Sequence, residues 1–219
     1  MRHFTALVLA LMLGNPACGE SINFGPDLAA AGWSVVTFPG VAPATFKATS
    51  ADTLDVVTDA AAGLLWHAIK EPKRAVGTAH WSWRVDRSVV PTDLSQRGND
   101  DRALAVYFVF GRKSDLAMGP MALLSSSSVK ALVYVFGGDR PRGSIVPSPH
   151  MGQRGRFLIL WPANGPRHQW LDESIDIAVD YTRLFGHQPP DLLAIAISSD
   201  SDDTRGRNHA LVRGLRIGD

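Results

Sequence analysis

Apolar and polar residues alternate with a period of two over His80–Asp86. Trp81, Trp83 and Val85 fall on one side, and His80, Ser82, Arg84 and Asp86 on the other. That period is the mark of a half-buried strand. Ala103–Phe110 and Val129–Phe136 are continuous runs of β-branched, aromatic and aliphatic residues. Shorter blocks of the same kind stand at Trp33–Phe38, Thr53–Thr58, Gly63–Ile69, Arg156–Trp161, Leu192–Ser199 and Ala210–Ile217. The alanines over 60–70 leave a helix as a competing reading there. One segment has helical spacing: Ile175, Ala178, Val179, Thr182 and Phe185, closed by Gly186 and then by Pro189-Pro190. Glycine suits a helix C-cap, and proline forbids continuation.

At least eight short strands between Gly/Pro-rich turns, with a single helix near 175–185, predict a mainly β fold. The expected architecture is a two-sheet antiparallel β-sandwich of jelly-roll or galactose-binding-like character. The helical signal is too sparse for regular βαβ crossovers, and there is no internal repeat. Residues 33–219 form one expected domain, with 20–32 as a leader into it.

The first nineteen residues follow a different rule. Arg2 and His3 precede an apolar run, Phe4–Leu13, broken by Gly14-Asn15-Pro16 and followed by the small residues Ala17, Cys18 and Gly19. A basic start, a short apolar core and a small-residue cleavage zone predict a signal peptide over 1–19, and a periplasmic or secreted mature chain from Glu20. Cleavage before Cys18 is the lipoprotein alternative; Asn15 and Pro16 fit poorly in the small-residue slots before such a cysteine. Cys18 is the sole cysteine, so the mature domain has no disulfide, thiol nucleophile or cysteine metal site. Loss of Arg2 brings the 22 basic residues level with the 21 acidic ones. That balance gives no electrostatic case for nucleic acid. No later segment is long and apolar enough for a membrane-spanning helix.

Three clusters carry the candidate chemistry. Trp81 and Trp83 share a strand face, as core or as a stacking platform for a flat ligand such as a sugar ring, with Arg84 in the outward row beside them. Asn99-Asp100-Asp101-Arg102 precedes the apolar strand 103–110; it reads as a solvated turn, a network closed by Arg102, or a calcium site. Asp200-Ser201-Asp202-Asp203-Thr204 follows the strand 192–199. Its oxygen-rich side chains suit calcium, with Asp200, Asp202 and Asp203 as the metal candidates. The spacing is not that of an EF-hand: no glycine stands sixth and no glutamate twelfth. If 103–110 and 192–199 are antiparallel neighbours, the two acidic turns meet at one end of the sandwich. Arg84, Arg102 and Arg205 are the countercharges available. Glu173 and Asp176 raise glycoside hydrolysis, which needs two carboxyls at a set separation. No nucleophile elbow, dinucleotide fingerprint, P-loop or zinc-binding His-Glu-x-x-His is present.

Taken in order, these pieces resemble a bacterial family of unknown function, DUF3047. The resemblance runs over roughly 33–217 through Trp81-Ser82-Trp83-Arg84, then Asp100-Asp101 with a basic partner. It continues through Val179-Asp180-Tyr181, Leu184-Phe185-Gly186, Pro189-Pro190 and Ile195-Ala196-Ile197, and ends in an acidic turn at Asp200, Asp202 and Thr204. It adds Asp180 to the ligand-binding candidates. Where the family tends to have Asp-Asn-Thr, this chain has Asp202-Asp203-Thr204, and Arg102 follows the paired aspartates directly. The resemblance implies an exported protein and no particular activity. The expectation for function is a non-catalytic module binding an extracytoplasmic ligand, a glycan first. A glycoside hydrolase or lyase and a structural envelope protein are the alternatives.

Overall fold

The computed structural model describes residues 20–71 and 77–218. The signal-peptide and lipoprotein expectations fall on 1–19, outside the described residues. Fourteen strands follow one another: β1 Glu20–Ser21, β2 Trp33–Val36, β3 Ala42–Pro43, β4 Thr45–Ala48, β5 Thr53–Asp59, β6 Ala61–Ala68 and β7 Thr78–Arg87. Then come β8 Arg102–Gly111, β9 Lys130–Gly137, β10 Ile145–Ser148, β11 Gly152–Trp161, β12 Leu171–Asp176, β13 Asp191–Asp200 and β14 Arg207–Ile217. Two helices join them, α1 Pro120–Ser125 and α2 Ile177–Phe185, with a 3₁₀ turn at Lys113–Ala117.

The strands form two stacked sheets. The smaller runs β12-β7-β14-β5-β4, with β1 on the edge of β14; the larger runs β10-β11-β9-β8-β13-β6-β2, with β3 beside β6. Pairing is antiparallel except at β9–β11 and β3–β6. This is the two-sheet β-sandwich that the strand pattern predicts; α2 is the expected helix, and α1 is a second short one that the pattern does not predict. Within 60–70 the chain is strand rather than helix: Ala60 turns it in a left-handed conformation, and β6, Ala61–Ala68, pairs along β13. The expected helix starts two residues late. Ile175 and Asp176 finish β12 against β7, and the Asp176 carboxylate then caps α2 by accepting from the Val179 amide at 2.9 Å. Gly186 closes α2 at φ 78°.

Between the sheets lies the main core. Leu54, Val56, Trp81, Trp83, Val85, Val106, Phe108, Tyr134, Ile195, Ile197 and Val212 interlock there. A second apolar layer covers the outer face of the larger sheet, with Leu64, Trp66, Tyr107, Val133, Phe157, Ala194 and Ala196 under Leu94 and Leu123. Every residue of β8 is buried for that reason. A strand covered on both faces reads as a continuous apolar run, as in the sequence, and not as an alternation. Among the described residues no helix is long and apolar enough to cross a membrane.

Candidate functional site

β8 and β13 are antiparallel neighbours, with Arg102 opposite Asp200. The start of β8 and the end of β13 therefore coincide, and the two acidic turns converge. Each strand shifts register at this end, between Arg102 and Leu104 and between Ser198 and Asp200. Such bulges re-aim side chains. Here they leave Arg102, Ser198 and Asp200 lining a cleft on the outer face of the larger sheet. Gly137 is what allows Arg102 in. It sits opposite Arg102 on β9, where an added Cβ would stand 2.6 Å from the Arg102 Cβ. Asn208 fastens the same corner, donating from its Nδ2 to the carbonyls of Arg102 and Asp200 and to Ser199 Oγ.

The cleft encloses about 330 Å³. Leu64, Tyr107 and Phe157 form its floor, and Phe38, Met121, Leu124 and Met151 its apolar walls. Asp100, Arg102, His150, Asp200, Asp202 and Asp203 make one polar end. Arg102 is the hub, with its side chain only 7% exposed. Its Nη1 donates to the Asp100 carbonyl at 2.7 Å and lies 3.4 Å and 3.5 Å from the carboxylates of Asp100 and Asp200. Its Nη2 donates to Tyr107 Oη at 2.9 Å and to Ser198 Oγ at 3.3 Å. Its Nε is buried without a partner, and so is Oδ1 of Asp200.

The electrostatics of the two flanking aspartates are opposite. Burial acts to raise the Asp100 pKa, but the His150 imidazole at 3.3 Å and the Arg102 charge outweigh it and hold the carboxyl below its usual range. For Asp200, burial dominates. Arg102 opposes it, while the hydrogen bond with Asp202 and the charge of Asp101 reinforce it, and the group is pushed up to about 9. Asp203 is also raised, by burial and then by the Asp101 charge. Burial pulls Arg102 downward, yet Tyr107, Asp200 and Asp100 together carry it above its ordinary value.

Asp101, Asp202 and Asp203 bring carboxylate oxygens within 4.8 Å of one another and could hold a metal ion. The set differs from the sequence expectation by one residue. Asp200 turns to Arg102, while Asp101 faces the opposite turn. There Asp101 Oδ2 accepts from the Thr204 amide at 2.8 Å and from the Thr204 hydroxyl, and Oδ1 accepts from the Asp203 amide at 3.3 Å.

The remaining sequence candidates lie elsewhere. Trp81 and Trp83 are not on a surface: both indoles pack between the sheets, 2% and 0% exposed, against each other and against Tyr134 and Phe136. The stacking platform is thus corrected to core, because the Trp-x-Trp face of β7 is the inward one. Arg84 binds Asp86 through two nitrogens, at 2.7 Å and 2.8 Å, on the smaller sheet. Asp180, on α2, accepts from Tyr134 Oη and pairs with Arg183. Glu173 is buried and accepts from the indole nitrogens of Trp83 and Trp161. Asp176 is the α2 cap. Among the described residues Arg205 forms no ion pair with the cluster. His150, Tyr107, Ser198 and the apolar walls were not singled out by the sequence. Their only local signal is a polar residue interrupting an apolar strand, as at Ser198.

A family model described as "Protein of unknown function (DUF3047)" matches residues 31–216, and the chain belongs to that family. A search of curated protein sequences found no match. Among solved structures, the chain is similar to the xyloglucanase domain of NopAA, a type three effector from Sinorhizobium fredii, in complex with cellobiose. The identity is 10%, with 85% of this chain and 92% of that one covered and a TM-score of 0.45. It is also similar to a family 11 carbohydrate-binding module from Clostridium thermocellum in complex with a β-1,3-1,4-mixed-linked tetrasaccharide, at 8% identity, 92% and 96% coverage and a TM-score of 0.44. The winged bean acidic lectin complexed with methyl-α-D-galactose gives 10% identity, 91% and 99% coverage and a TM-score of 0.43.

Proposed function

For this member of the DUF3047 family, we propose an extracytoplasmic, non-catalytic binding module. Its ligand, a glycan, occupies the cleft on the outer face of the larger sheet. The observation that carries the reading is the polar end of that cleft, where Asp100, Arg102, His150, Asp200, Asp202 and Asp203 stand beside apolar walls. Ligand pockets combine such walls with a few placed polar groups. Sugars suit the combination, since they present hydroxyls on their edges and C–H groups on their faces. Calcium is the ion proposed for Asp101, Asp202 and Asp203, an all-oxygen carboxylate set of the kind calcium takes. Two ligands of one calcium lie at most about 5 Å apart, which accommodates the 4.8 Å limit within which these oxygens fall.

The test is a glycan array followed by calorimetry on the strongest hit. Met151→Trp fills the cleft wall and is expected to abolish binding while leaving the melting temperature within a few degrees. A hit that binds the variant as tightly as the parent removes the cleft from the reading.

A second reading has its own observation. Asp100 is shifted down and Asp200 up, on either side of one guanidinium. Carboxyls pushed apart in this way divide into base and acid in glycoside cleavage. Release of reducing sugar from an array hit, lost in Asp200→Asn, is the result that would favour this enzyme reading.

A further inference from the structure

We propose that the ligand of the cleft is a neutral glycoside with a hydrocarbon aglycone, its sugar at the acidic end and its apolar part along the walls. The inference rests on the cleft being the ligand seat and adds what the glycan carries.

The apolar half of the lining sets the argument. Three separate segments raise the walls over the outer face of the larger sheet. Phe38 and Val41 come from the loop after β2, Met121 and Leu124 from α1, and Met151 from the turn between β10 and β11. The floor of Leu64, Tyr107 and Phe157 is buried, but the walls are not. Phe38, Val41, Leu124 and Met151 are half-buried, and Met121 is 45% exposed. Among the described residues, the other exposed large apolar side chains, such as Val90 and Val179, do not line the cleft. The walls thus hold hydrocarbon that the fold leaves uncovered, gathered around one enclosed space, and covering it is favourable. Two of the five wall residues are methionines, whose flexible thioethers adapt to an irregular tail.

A bare sugar does not match this lining. Its hydroxyls point outward around the whole ring, and those set against Met121, Leu124 and Phe157 would lose water without gaining a partner. The polar atoms nearest the apolar part are engaged. Ser148 Oγ accepts from the amides of His150 and Met151 at 3.3 Å and 3.2 Å, and Tyr107 Oη accepts from Arg102. Hydrocarbon suits that part of the cleft. The other end sets the head group. Asp100, Asp200, Asp202 and Asp203 line it with Arg102 and His150. Even with Asp200 holding its proton, three carboxylates outweigh the guanidinium and a charged imidazole. Charge complementarity therefore turns away a carboxylate or phosphate head and favours one rich in hydrogen-bond donors. These acceptors come from the turns before β8 and after β13. A ring bearing several hydroxyls reaches across both turns, whereas an ammonium gathers its donors at one point. A fatty acid or phospholipid has a tail that suits the walls and a head that the acidic end repels.

The experiment uses the whole exported chain and calorimetry in chelator, which removes divalent cations from the charge balance. The probes are methyl, butyl, hexyl and octyl glycosides of glucose, galactose and mannose, below their critical micelle concentrations, with octanoate and octylammonium beside them. For the sugar that binds, affinity should rise by up to about fourfold per methylene, from about 0.8 kcal/mol per buried CH₂. Octanoate should bind at least tenfold more weakly than the octyl glycoside. Met121→Glu, at an exposed side chain, should keep the fold and weaken the octyl glycoside at least tenfold. Val179→Glu, on α2 and outside the cleft, should leave it unchanged. Affinity that does not grow with chain length overturns the inference, as does octanoate or octylammonium binding more tightly than every octyl glycoside. Equal losses in Met121→Glu and Val179→Glu overturn it too. An array hit that is lost in Met151→Trp but gains nothing from an alkyl aglycone overturns it while leaving the cleft as a glycan seat. An octyl glycoside that binds Met151→Trp as tightly as the parent takes down both readings.

Discussion

Two carboxyl groups, Glu173 and Asp200, are taken from water in different ways. Glu173 has a side chain 3% exposed, and its oxygens accept from Trp161 Nε1 at 2.7 Å, Trp83 Nε1 at 3.2 Å and Arg142 Nη2 at 3.2 Å. The Arg142 guanidinium also lies over the Trp161 ring. Asp200 is 17% exposed, sits 3.5 Å from an arginine already shared with Asp100 and leaves one buried oxygen without a partner. A buried polar group that is fully bonded stabilises the scaffold, whereas one left short incurs a desolvation cost. The contrast separates scaffold from site: the satisfied carboxylate locks a wall of the sandwich, and the less satisfied one lines the cleft.

The sharpest way to break the comparison is Glu173→Ala. It strands two indole N–H groups and the Arg142 charge, and should cost about 3 kcal/mol in chemical denaturation. A loss under about 1 kcal/mol would show that the network does not act as scaffold. Next come the two tryptophans. Trp83 donates to Glu173, while Trp81 Nε1 is buried without a partner. Trp83→Phe should cost about 2 kcal/mol and Trp81→Phe about 1 kcal/mol, since only the first loses a hydrogen bond to a charged group. Equal losses would remove the distinction.

The last comparison is read from a pH profile rather than at one pH, with Asp200→Asn. Asp200 is an acid whose folded pKa is raised to about 9, so between its unfolded value and pH 9 the folded chain holds a proton that the unfolded chain has released. Its contribution to stability is therefore full below the unfolded pKa and falls as pH rises, by up to about 1.4 kcal/mol per pH unit. Asp200→Asn should flatten the stability profile between pH 6 and 9, measured in chelator. Asp100 has the opposite sign. Its lowered pKa gives stability that is present above the unfolded value and lost in acid, and Asp100→Asn should lower stability at neutral pH and flatten that acid limb.

Much of this was legible in the chain. The apolar runs 103–110 and 192–199 are the two central strands β8 and β13, and their antiparallel pairing meets the condition under which the sequence brings the acidic turns together. The period of Trp81-Ser82-Trp83 gave the strand but not which sheet face looks inward, because alternation fixes phase and leaves layer order open. The helix start was displaced because Ile175 fits a helical stripe and a strand equally well in a short window. Exchange of Asp200 for Asp101 in the metal set turns on the register shifts at the ends of β8 and β13. A one-residue bulge has no compositional signal in these strands. His150 and Met151 reach the cleft from about fifty residues beyond Arg102, and only the finished sheet sets that distance.

β14, the last of the described strands, is not an edge. It lies in the middle of the smaller sheet, hydrogen-bonded to β7 on one side and β5 on the other, with β1 also beside it. Until residues 207–217 exist, β5 and β7 have no common partner, and one wall of the core has a gap where Ala210, Val212 and Leu215 belong. A chain still being made therefore cannot close this sandwich from its first strands forward. Assembly of the smaller sheet waits for contacts between strands far apart in sequence, which makes it slow.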